Sequence, residues 1–247
     1  MFSKLFTTHT EMGCTSNVLI CISLATMYVG SLYVWRNTHG RDHPSTIKKR
    51  FLSVFLMSFV SATVVYVFTD KLYFGCDVTY WSLMGIRLSG LVQATILPLF
   101  LTMVLFLGPM SLHYNEGLYQ RFFDLKMWLY CLTNVVWLRN HVIAPFFEEF
   151  TFRACMLPIL VPCFGSKNSV ILCPFFFGIG HVAAPVIVHA FCNHMGFPDF
   201  GQLFTIERPK QSVLMVCFVA GLVTWMLLLK PLTEPQIYNN MLYWPTT

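Results

Sequence analysis

Charge is what this sequence is short of. Only 11% of its 247 residues are Asp, Glu, Lys or Arg, while 56% are hydrophobic. A soluble domain carries roughly 25% charged residues, so the composition excludes an ordinary soluble domain and points to an integral membrane protein. Short alternating strands are also missing, which argues against a β-barrel; long continuous apolar runs favour helices. There is no Lys/Arg block interleaved with aromatics, so no nucleic-acid partner is expected despite a net charge of +5. No C-x-x-C pair occurs among the nine cysteines, and zinc held by cysteine is not expected. Cys14, Cys21, Cys76, Cys131, Cys155, Cys163, Cys173, Cys192 and Cys217 read as small buried side chains. H-E-x-x-H, G-x-S-G, G-x-G-D, P-loop and Rossmann glycine patterns are all lacking. Those absences remove zinc, serine and intramembrane aspartyl peptidases and nucleotide binding.

What is there is a series of membrane-length runs. Residues 18–35 can cross a bilayer core of about 30 Å, and they read as an uncleaved first span because the basic flank follows them. The loop RNTHGRDHPSTIKKR (36–50) holds five Lys/Arg and one Asp. That bias makes it the expected cytosolic loop and sets the N-terminus on the other side. A second span is expected at 51–68 and a third at about 88–107, kinked at Pro98. Apolar stretches at 128–164, 169–197 and 213–229 bring the expected count to six or seven segments. The expected fold class is all-α, a polytopic membrane helix bundle, with N-terminal spans (1–138) ahead of a functional core (139–247).

Two polar constellations interrupt the apolar sequence. The first is FEEFTFR, Phe147 to Arg153. On a helix Glu149 and Arg153 are i,i+4 neighbours in the favourable acid-first order. Glu148 lies about 100° round the helix and can point elsewhere. Such a division suits chemistry, one carboxylate held ionised by arginine and the other free to take a proton from water. An ion-paired helix end at the interface is the plainer alternative. The second is HAFCN, His189 to Asn193. This spacing again puts both side chains on one face, where they can donate hydrogen bonds to a developing oxyanion. An inter-helix hydrogen-bonded pair is the alternative. Charged side chains inside a membrane segment are functional by default, and two such sets in one small bundle favour a site.

These residues resemble the type II CAAX prenyl endopeptidases, of the wider CPBP intramembrane peptidase family. That family's E-E-x-x-x-R stands here as Glu148-Glu149-Phe-Thr-Phe-Arg153, and its H-x-x-x-N as His189 to Asn193. The flanks RNHVIAPFFEEFTFRACMLPIL and GHVAAPVIVHAFCNHMGFP are similar to the eukaryotic members in particular. The resemblance implies an endoplasmic-reticulum peptidase that removes the last three residues of a prenylated C-a-a-X protein, such as a small GTPase. It implies no metal or other cofactor, and contact with membrane lipid. By the resemblance Glu148 activates water, His189 and Asn193 form the oxyanion site, and Glu149 with Arg153 shapes the site or meets the substrate carboxylate. The family also uses a histidine from a middle F-x-x-x-H motif.

Here Phe177 to His181 matches that middle motif as a string, but only seven residues separate His181 from His189. Relatives place several dozen residues between the two. Eight positions along a helix advance about 12 Å, too far for both imidazoles to reach one water at about 3 Å. The expectation is therefore that an internal segment is missing, with a seam near 178–180, and that His181 only stands in for the family's middle histidine. An inactive short form or non-enzymatic scaffold of the same family is the alternative function, and a transporter is more distant.

Overall fold

A computed structural model describes residues 2–36, 39–69, 74–75, 78–115, 117, 124–172, 181–198, 200–239 and 242, with only the helical course given for 2–12. The all-α expectation holds: among these residues there are helices and turns and no strand. Helix α1 is Phe2–Ser31 and α2 is Pro44–Phe68. His43 caps α2, its ring Nδ1 accepting from the Ser45 amide at 3.3 Å, and Pro44 at the first position needs no amide partner. Helix α3 (Leu91–Leu105) and α4 (Leu107–Asn115) meet at a 72° bend.

That bend corrects the sequence reading. Pro98 sits inside α3, and the chain turns at Phe106 instead. Pro109 has no amide hydrogen to give Leu105, so the ladder ends there. Among the described residues three helical stretches are long and apolar enough to cross a membrane, Gly13–Ser31, Pro44–Phe68 and Arg208–Leu232, or four if the bent pair is one span. The expected six or seven is larger: among the described residues the other apolar sequence lies in shorter or interrupted helices, and residues 173–180 of the expected 169–197 segment lie outside them. Residues 135–155 alternate between α and π turns, and Gly165 interrupts the helix that follows.

Helix α1 runs antiparallel to the segment that carries FEEFTFR. Cys14 is disulfide-bonded to Cys163, with their Cα atoms 5.4 Å apart. Asn17 donates to the Ile159 carbonyl at 2.9 Å, the Cys21 thiol lies 3.9 Å from the Met156 carbonyl, and the Tyr28 ring sits edge-on to Phe152 at 5.3 Å. The disulfide overturns the reading of all nine cysteines as inert core side chains; the pair is 149 positions apart, which no local pattern can reveal. Fourteen residues of α1 separate Cys14 from Tyr28, about 21 Å of helix. Leu24, Val65, Phe150, Ile159 and Leu160 share one buried cluster, so α1 and α2 pack directly on the polar segment.

The last helix packs closely on α3 and α4. A Cβ placed on Gly221 would stand 2.7 Å from the Val104 carbonyl oxygen and 3.0 Å from Leu107 Cβ. Lipid gives little hydrophobic drive between helices, so close packing through small residues supplies the contact.

Candidate active site

Helix α5 (Ala144–Glu149) carries both glutamates, and it is bracketed by π-helical turns at Arg139–Ile143 and Phe150–Cys155. Pro145 explains the first of these. It lacks the amide hydrogen that would reach His141, and the Ala144 amide instead bonds the Arg139 carbonyl five residues back. Such π turns are rare and recur at functional sites, because each re-aims the side chains beyond it.

The structure brings four of the expected residues together. Glu149 is 5% exposed. One of its carboxylate oxygens pairs with Arg153 and the other lies 2.8 Å from His189 Nδ1. His189 Nε2 then faces the Glu148 carboxylate at 3.8 Å. The Glu149–Arg153 pairing agrees with the spacing, and Glu148 does point elsewhere, as a neighbour about 100° away should. His189 sits on α7 (Ala183–Met195), which follows α6 (Met156–Leu172) and packs against α3, α5 and the first π turn.

The tautomer of His189 follows from its partners. A carboxylate held ionised by arginine accepts only, so Nδ1 carries a proton and donates it to Glu149. Nε2 is thereby directed at Glu148, to accept a proton or to share one.

Asn193 lies one turn further along α7 and lines the same cavity as Glu148 and His189. Its amide donates to the Asn140 carbonyl at 2.8 Å. A carboxamide has two N–H donors, so one remains for a ligand. The cavity holds about 390 Å³, within the usual range for a small-ligand site. Beyond the polar trio it is walled by Leu32, Phe51, Val54 and Ile143, and Arg41, Arg50 and Arg139 line it as well. Arg153 is absent from that lining, so it acts on the cavity through Glu149 and His189.

His181 is placed apart. It is 1% exposed, lies outside the cavity lining, and packs against the 85–90 turn, where Val182 donates to the Gly85 carbonyl at 3.2 Å. Gly90 at φ 76° lets the chain pass within 3.3 Å of His181 Nε2 for a would-be Cβ, a site closed to any side chain. The motif's Phe177 and the seam at 178–180 lie outside the described residues. Tyr28, Asn140 and the three arginines were missed in the sequence; they come from loops and helices far apart in the chain. Among the described residues, no group of three or more His, Cys, Asp and Glu side chains is placed to hold a metal ion.

Glu148, His189 and Asn193 thus line one cavity, and the buried, arginine-paired Glu149 holds His189 from behind it. The family model for "Type II CAAX prenyl endopeptidase Rce1-like" matches residues 130–231. CAAX prenyl protease 2 of Rattus norvegicus is 39% identical over 259 aligned residues, covering 92% of this chain and 83% of that protein. Its Homo sapiens counterpart is 37% identical over 280, covering 92% and 84%, and that of Arabidopsis thaliana 25% over 293, covering 90% and 91%. No solved structure matches the chain. The chain belongs to the type II CAAX prenyl endopeptidases, and it is a membrane protease.

Proposed function

We propose that this protease removes the terminal tripeptide from prenylated CAAX proteins, small GTPases among them, with Glu148 as the water activator. The observation that carries the mechanism is His189 held by Glu149 at 2.8 Å with its other nitrogen facing Glu148 at 3.8 Å. Glu148 takes a proton from water, and the hydroxide attacks the scissile carbonyl. His189 Nε2 carries a proton between Glu148 and the reacting atoms, and Nδ1 stays fixed by Glu149. Asn193 offers its second amide hydrogen to the oxyanion. The proton then passes to the leaving amine, which departs as the tripeptide. Glu149 and Arg153 position His189. No cofactor enters these steps.

Residence in the endoplasmic-reticulum membrane with the cavity open to the cytosol is part of the same reading. Two independent features support it. Arg41 and Arg50 of the basic loop line the cavity, and basic loops face the cytosol. The Cys14–Cys163 disulfide lies some 20 Å away along α1, at the end that an oxidising lumen would bathe.

A second reading concerns how active this form is. The alignment with the Homo sapiens relative runs over 280 positions while covering only 92% of this 247-residue chain, so that relative has residues this chain lacks, and His181 stands outside the cavity. Both support a missing internal segment; the short spacing from His181 to His189 puts its seam at 178–180, and with it goes the middle histidine. The core, 139–247, would then lack that insert. Tripeptide release from a farnesylated CAAX peptide tests both readings: activity of the chain as it stands supports the first, and activity only after a family-length insert at the seam supports the second. Amplifying the transcript across codons 170–190 checks the junction itself.

A further inference from the structure

The cavity carries a charge pattern that water activation does not use. Arg41, Arg50 and Arg139 converge on it from the 36–50 loop, the start of α2 and the first π turn. The acid beside them is Asp42, whose side chain is 68% exposed and accepts from Arg139 at 2.8 Å. That hydrogen bond, with the fields of Arg41 and Arg50, holds the Asp42 carboxyl below its ordinary range. Three guanidiniums against the Asp42 carboxylate and Glu148 across the cavity still leave a surplus of positive charge. Arg50 Nε is buried without a hydrogen-bond partner, and its guanidinium stands 5.7 Å from the Tyr33 ring. A buried donor left unpaired is unfavourable unless a ligand supplies the acceptor.

We propose that these three arginines form the subsite for the free C-terminal carboxylate of the tripeptide to be released. The proposal rests on the endopeptidase reading above. Nine residues of helix and π turn separate Arg139 from Glu148, about 13 Å along the axis. Three extended residues from scissile amide to terminal carboxylate span about 10 Å. A substrate with its scissile carbonyl at Glu148 thus ends at the arginines. Its two aliphatic side chains cross the wall made by Leu32, Phe51, Val54 and Ile143. A carboxylate is costly to bury in lipid, and guanidinium forks match it bidentately. Arg153 is not the receiver, because Glu149 occupies it away from the cavity. Membrane orientation alone would place arginines in this loop, but it would not converge them on a cavity.

The test compares a farnesylated CAAX peptide with the same peptide ending in a carboxamide. Turnover is read on the full chain. Binding is read on the Glu148→Ala chain with fluorescent peptides, so the arginines are tested even without turnover. The free acid should be favoured by about tenfold or more, the scale of a charge-assisted hydrogen bond. Arg50→Ala and Arg139→Gln should each erase most of that ratio, and Arg50→Lys, which keeps charge without the fork, should retain part of it. Asp42→Asn, which removes the competing acid, should raise it. Equal binding of acid and amide by the parent overturns the proposal. So does an equal loss of both in Arg50→Ala, which would mark a lipid-headgroup or structural role. Acid preference in binding with no tripeptide released would uphold the subsite and sink the endopeptidase reading.

Discussion

Replacing Glu149 by glutamine isolates what this residue does for His189. The native carboxylate serves two partners at once, Arg153 through one oxygen and His189 Nδ1 through the other, 2.8 Å away. Glutamine offers one carbonyl oxygen and an amide that repels both. One charge-assisted hydrogen bond is lost outright, worth about 1.5–3 kcal/mol. If all of it is felt when His189 moves a proton, kcat falls about 10- to 150-fold. KM should change little, because Glu149 lies outside the cavity lining. Folding suffers too: an arginine whose side chain is only 22% exposed loses its buried partner, and breaking a buried pair costs about 3–5 kcal/mol. Kinetics on a farnesylated CAAX peptide and thermal aggregation in detergent would measure both. A variant with parental kcat and a lowered melting point would refute the positioning role, since Glu149 would then be an anchor for Arg153 only. Parental values in both would refute the observed contacts.

Other consequences follow from the packing. Cys14→Ser should remove a link closing a 149-position loop, which the chain-entropy model values at about 5 kcal/mol; non-reducing peptide mapping should find Cys14 joined to Cys163 in the parent, and free thiols at both would contradict it. Gly221→Leu should reduce the folded yield, because its Cβ meets the Val104 carbonyl at 2.7 Å and backbone cannot yield cheaply; unchanged yield would mean that the two helices are not in contact there. His181→Asn should weaken the fold around the 85–90 turn without selectively lowering kcat; a drop in kcat at unchanged stability would return His181 to the chemistry.

The local half of the site was legible in the sequence. Glu149–Arg153 follows from a spacing of four, and the shared face of His189 and Asn193 from the same rule. The separation of Glu148 from its neighbour's partner is equally a property of helix geometry. What joins the two motifs was not legible, because the His189–Glu149 contact closes a gap of 40 positions through the packing of α7 on α5. The Asn193 bond to the Asn140 carbonyl has the same origin. The first π turn escaped because it depends on the missing amide hydrogen of Pro145 rather than on apolar periodicity. Pro98 was the visible candidate for the kink, but the helix continues through it and the 72° bend lies between Leu105 and Leu107, ahead of Pro109. Arg41 and Arg50 were visible as a topology signal in the 36–50 loop, but their convergence with Arg139 on the cavity required the structure.

The most direct measurement is tripeptide release from a farnesylated CAAX peptide by the purified chain and by its Glu148→Ala form, followed by mass spectrometry. The account predicts release by the parent and none above background by the variant. Equal release by both would contradict the role given to Glu148 and with it the mechanism.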